Sequence, residues 1–141
     1  MAIFTRRIIA FHETFASVGE KSANKDNTIS VSWHEAIAGR KAEEIASAFV
    51  AAFTKERDKK HIIYWCDNCT AQNKNWCLLT TLVGLLNSAE QRLDREDITL
   101  KYFEAGHSFM SADSFHHGVE LSMKRKNSGI PLKQSLTTVL K

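Results

Sequence analysis

The order of apolar patterns along the chain predicts an α/β fold, a mixed sheet with helices on both faces. Two observations carry this. Residues Thr28 to Glu35 (TISVSWHE) alternate strictly, with Ile29, Val31 and Trp33 on one face, which marks a half-buried strand. His61 to Cys66 (HIIYWC) is instead a continuous apolar run, as expected of a central parallel strand covered on both sides. Antiparallel strands come first and helix-linked strands later, so the sheet is mixed.

Taken in order, Phe4 to Phe15 (FTRRIIAFHETF) is rich in β-branched and aromatic residues and reads as the first strand. Ser17 to Asn27 is polar and turn-rich, a loop that makes the next strand antiparallel if it closes a hairpin. Lys41 to Arg57 has a helical period, with Ile45, Ala48, Phe49, Ala52 and Phe53 on one stripe and Lys41, Glu44 and Lys55 off it. After the central strand, Asn75 to Leu93 forms a second helix, with Leu78, Leu79, Leu82, Leu85 and Leu86 as its buried stripe. Ile98 to Phe103 is a further strand and Ser111 to Lys126 a third helix. In Asn127 to Lys141, Gly129 and Pro131 break any pattern, leaving room for a short helix after Leu132.

The whole chain sets bounds on function. Its 141 residues suit one domain with a sizeable core. With 43% apolar and 25% charged residues it has the balance of a soluble globular protein. A net charge of +3 permits a polyanionic partner without demanding one. No apolar run approaches the roughly 20 residues needed to span a bilayer, and Met1 to Ala10 lacks the pattern of a signal peptide, so no membrane role and an intracellular location are expected. Cys66, Cys69 and Cys77 are then expected to be reduced. Cys66-x-x-Cys69 has the spacing of half a zinc site but no second ligand pair, so a cysteine-based metal module is a distant reading.

Two constellations carry candidate chemistry. In an open α/β sheet, ligands gather beyond the carboxyl ends of parallel strands, and Asp67 sits at such an end. The segment that follows, through Asn68, Gln72, Asn73, Lys74 and Asn75, is dense in amides able to orient a carboxylate, cap a helix or reach a phosphate. An ordinary polar loop with an N-cap is the plainer reading. The second constellation is Gly106 to Glu120, which includes His107. On a helix, Asp113, His116, His117 and Glu120 fall at i, i+3, i+4 and i+7 and share one face. Asp113 and Glu120 lie about 10 Å apart along the axis, so one would ligate an ion while the other orients a histidine or water. A solvated polar face is the alternative. Lys124-Arg125-Lys126 would suit phosphates, but also suits the negative end of a helix. Trp33 belongs to the core, and Glu35 with Arg40 reads as a local ion pair at a helix entrance. Carboxylates from a strand end and a later helix suit hard divalent ions, Mg²⁺ or Mn²⁺, and two such ions can stabilise attacking and leaving oxygens in phosphodiester chemistry.

Trp33-His34-Glu35, Gly39-Arg40, Glu44-Ile45, Ser47, Trp65 to Cys69, Gln72 to Asn75, Gly106-His107-Ser108, Asp113 and Glu120 together resemble a eukaryotic domain of mobile-element-derived proteins, RNase H-like and related to DDE/D transposases. The resemblance spans about Phe4 to Lys126. It implies an RNase H-like domain over residues 1–126, with 127–141 as a tail or the start of a further helix. It implies metal-dependent phosphoryl transfer on nucleic acid, possible DNA contact and a nuclear location. Asp67 matches the acid at the end of the fourth strand. Asp113 matches the acid of the last helix, with Glu120 as the alternative. Asp67, Asp113, His107 and His117 become the candidate metal ligands, supported by Asn68, Gln72, Asn73, Asn75 and His116. The acid of the first strand would lie upstream of the segment matching Phe4 to Phe15, and Glu13 does not match its position. The expectation is therefore a domain lacking its first strand and inactive as it stands; a non-catalytic remnant that binds nucleic acid or protein is the other reading.

Overall fold

A computed structural model describes residues 8–18, 28–88, 95–104 and 110–126. The elements run β1 (Ala10–Ala16), β2 (Thr28–His34), α1 (Ala42–Lys55), β3 (His61–Cys66), α2 (Thr70–Asn73), α3 (Trp76–Asn87), β4 (Asp97–Tyr102) and α4 (Ser111–Lys126). The α/β class therefore holds, with antiparallel strands first and parallel ones later. β1 pairs antiparallel with β2, Ala10 opposite His34 and Ala16 opposite Thr28. β3 pairs parallel with β4, His61 opposite Asp97 and Cys66 opposite Tyr102. Among the described residues these remain two sheets of two strands each.

One core joins the two sheets. Trp33, Ile45, Phe49, Phe53, Cys66, Leu78, Leu82 and Leu85 are buried in a single cluster. Phe11 and Phe15 of β1, Ile62 and Tyr64 of β3, and Ile98 and Leu100 of β4 pack against it. Phe49 touches both sheets, its ring 5.0 Å from Phe15 and 5.5 Å from Tyr64. Burying a side chain of this size stabilises by about 1.5–3 kcal/mol, so α1 holds the two pairs of strands together. Trp33 is fixed in this core by its indole N–H, which donates to Gly39 C=O at 2.7 Å.

Alternation along a strand places α4 on the other face. Phe11 and Phe15 look towards α1, whereas His12 stacks on Phe115 of α4 at 5.9 Å. Helices thus lie on both faces of β1.

Local differences from the sequence reading have physical causes. Asn75 does not begin a long helix but caps one, its Oδ1 accepting from Leu78 N–H at 2.9 Å. The preceding amide-rich segment coils into the single turn of α2. α3 is described to Asn87, with Ser88 extended after it; the rest of the expected helix, to Leu93, lies outside the described residues. So do Phe4 to Arg7 of the first expected strand, most of the Ser17 to Asn27 loop, Gly106-His107-Ser108 and residues 127–141.

Arg95 gives the far end of the molecule its buried charge. Its guanidinium lies 4.4 Å from the Phe53 ring centroid and donates to the carbonyls of Phe53 (3.3 Å), Glu56 (2.7 Å) and Lys59 (3.3 Å). Those carbonyls belong to the end of α1 and the turn after it, where partners inside the helix run out and a cation is favoured.

Candidate functional site

Asp67 follows β3, where the strand ends and the amide-rich turn begins. Its Oδ1 accepts from Cys69 N–H at 3.2 Å and from the side-chain amide of Asn73. Asn73 is itself buried, and its carbonyl accepts from the Tyr102 hydroxyl at 2.8 Å. β4 therefore holds α2, and α2 holds the Asp67 carboxylate. The other amides of the segment serve the turn. Asn68 accepts from Lys74 Nζ, and Asn75 donates to Ala71 and Gln72 carbonyls while capping α3. With its amide oxygen turned to Arg40, Gln72 accepts from Nη2 at 2.8 Å.

A cavity of ≈ 1020 Å³ opens between β1, the end of β3 and the start of α4. Asp67 and Asp113 both line it, with Gln72, Asn73 and His116 of the residues anticipated above. Asp113 also has a local structural role. Its Oδ2 accepts from Met110 N–H at 2.8 Å, reaching back over the first turn of α4. His117 and Glu120 are exposed and do not line the cavity. Ala112, Phe115 and Val119 form the half-buried stripe that sets the helix against the sheet, and His116 lies beside that stripe. A stripe defined by polar residues alone rotates the helix too far. His107 lies outside the described residues.

The residue that the sequence reading set aside is Glu13. It lies on β1, half-buried, in the cavity wall beside Arg40 and Asp67. Burial raises its carboxyl above the ordinary range; the Arg40 guanidinium opposes this, and the Asp67 carboxylate adds to it. A signal was present, since Glu13 shares its alternation parity with Phe11 and Phe15 and so belongs to the inward face. Neighbouring His12 contacts Ser32 Oγ at 2.6 Å and meets His116 edge-on at 5.0 Å. Burial lowers its pKa, and His116 lowers it further.

Cys66 is buried below the cavity. Burial, then the Asp67 and Glu13 carboxylates, push its thiol up to about 11. A thiol held protonated at neutral pH is a poor metal ligand and a poor nucleophile. Among the described residues, no three histidine, cysteine, aspartate or glutamate side chains gather as a metal-holding group. No described helix is long and apolar enough to cross a membrane.

No protein-family model, curated protein or solved structure matches this chain.

Proposed function

We propose that the chain is a transposon-derived, RNase H-like domain, whose acid-lined cavity descends from a metal-dependent phosphoryl-transfer site acting on nucleic acid. The observation that supports it is the arrival of Asp67, from a strand end, and Asp113, from the last described helix, at one cavity. Asp67 would be the primary ligand for Mg²⁺ or Mn²⁺, oriented by Asn73. Glu13 and Asp113 would supply further carboxylate oxygens, and His116 would orient one of them. The ions would stabilise charge on the attacking and leaving oxygens of a phosphodiester. Both main carboxylates already accept hydrogen bonds from their own turns, Asp67 from Cys69 and Asn73 and Asp113 from Met110. A non-catalytic descendant that still binds nucleic acid or protein is the second reading. A nuclear location follows from the same reading.

Titration calorimetry with MgCl₂ and MnCl₂ tests this proposal. Weak, saturable binding is expected for the wild type and its loss for Asp67→Asn, with no cleavage of DNA or RNA by either. Identical isotherms would remove Asp67 from any metal role. DNA binding, followed by fluorescence anisotropy, should be independent of sequence and fall steeply with salt, because phosphate contacts dominate such binding.

A further inference from the structure

At the far end of β3 from Asp67, three side chains meet beside the first link between the parallel strands. His61 opens β3 and stands opposite Asp97, which opens β4. Next to them, Lys60 C=O accepts from Glu96 N–H at 2.8 Å and from Asp97 N–H at 3.3 Å. His61 Nδ1 is hydrogen-bonded to Asp97 Oδ1, and its Nε2 lies 3.7 Å from Glu96 Oε2. Lys60 Nζ donates to the other Glu96 oxygen at 2.9 Å. The Thr99 hydroxyl reaches Asp97 Oδ2 at 3.5 Å.

This geometry distinguishes the two forms of the imidazole. A neutral ring carries one N–H and one lone pair, whereas the imidazolium carries an N–H on each nitrogen. Here each nitrogen faces a carboxylate. In either neutral tautomer a lone pair is set against a carboxylate oxygen, so the cation alone satisfies both sides. The charged groups that face the ring divide accordingly. The hydrogen bond and charge of Asp97, followed by the charge of Glu96, hold the His61 pKa above its ordinary 6.5, while Lys60 opposes them.

We propose that His61 is a pH-operated latch on the start of β4, closed while its imidazolium bridges Asp97 and Glu96 and released when the ring loses its proton. Lys60 keeps its hold on Glu96, so Asp97 is the end that lets go. Because the folded pKa is raised, the stability that the latch adds is fully present below 6.5 and is lost as pH rises through the folded value. His61, Glu96 and Asp97 have side chains 63%, 57% and 50% exposed, so bulk protons reach the ring without any opening of the fold. Release is local. Arg95, just before Glu96, stays anchored to the carbonyls of Phe53, Glu56 and Lys59, and Tyr102 at the other end of β4 stays tied to Asn73 C=O. The latch uses no group of the acid-lined cavity, so the inference stands apart from the phosphoryl-transfer reading.

The test is amide hydrogen exchange followed by NMR between about pH 5.5 and 8.5, a range that brackets a histidine. Protection of the Glu96 and Asp97 amides is read against that of Phe103, whose N–H donates to Cys66 C=O at the other end of the same ladder. In the wild type this ratio is expected to fall about two- to fivefold as pH rises, the scale of an exposed ion pair. His61→Gln should hold the ratio low at every pH, and His61→Arg, a permanent cation with several donors, should hold it high. Side-chain NMR should show His61 titrating above 6.5 in the wild type and lower in Asp97→Asn. A flat wild-type ratio, a fall that persists in His61→Gln, or a His61 titration indifferent to Asp97→Asn would overturn the proposal.

Discussion

The two faces of this molecule are built differently. On the α1 face, Phe15, Phe49, Tyr64 and Phe53 form a chain of ring contacts, with centroids 5.0, 5.5 and 5.3 Å apart in turn, above the leucines of α3. On the α4 face, Phe115 and His116 touch His12 of β1, while Ile63 and Trp65 of β3 are exposed. The closed face carries the apolar core, and the polar cavity lies where the two faces meet, lined from both. Candidate chemistry has collected where packing is least complete, as expected of loops and rims positioned by a rigid scaffold.

The sharpest way to break this contrast is to remove a buried side chain from α1 and an exposed one from α4. Phe53→Ala should cost about 3–5 kcal/mol, the range for a buried aromatic, and leave a marginal fold. Leu121→Ala, at an exposed position on α4, should change stability by no more than about 0.5 kcal/mol. Urea denaturation of both variants decides the matter, and similar losses would mean that α4 is as integral as α1. Next in size is Arg95→Met. It leaves the carbonyls of Phe53, Glu56 and Lys59 without their donor and should cost about 1–3 kcal/mol. Asn75→Ala, which removes the α3 cap, should cost about 1 kcal/mol.

The smallest effects are in pH dependence, where two neighbours on β1 work in opposite senses. Glu13 has a raised folded pKa, so its contribution is fully present below its unfolded value of 4.5 and is lost as pH rises through the folded one. His12 has a lowered folded pKa. Its contribution is present above 6.5 and is lost as pH falls from there through the folded value. Glu13→Gln should therefore be more stable than wild type at pH 7, and His12→Gln should flatten the decline below 6.5. Melting curves between pH 4 and 7 read both, and parallel wild-type and variant profiles would deny these groups any shift.

The contrast also explains what the sequence disclosed. The apolar run HIIYWC, the alternation around Trp33 and the stripe of α1 are local patterns, and each led to the correct kind of element. Asp67 was legible because its position depends only on where one strand stops. Glu13 was not, because its meeting with Asp67 depends on how two separate pairs of strands sit over α1. Arg95 was missed for the same reason, its partners lying 36 to 42 residues earlier in the chain. On α4 the polar residues suggested one face, but Phe115 and its apolar neighbours decided the rotation, bringing His116 to the cavity and leaving His117 outside.

Cys66 gives the protein a clock of its own. Its thiol is buried and held protonated at neutral pH, with a pKa of about 11. Alkylating reagents attack thiolates, so modification of Cys66 waits on opening of the structure around it. Half-exposed Cys69 and Cys77 should be consumed first by iodoacetamide. The slower loss of Cys66, followed by mass spectrometry, would then time the breathing of the cavity floor without any introduced label.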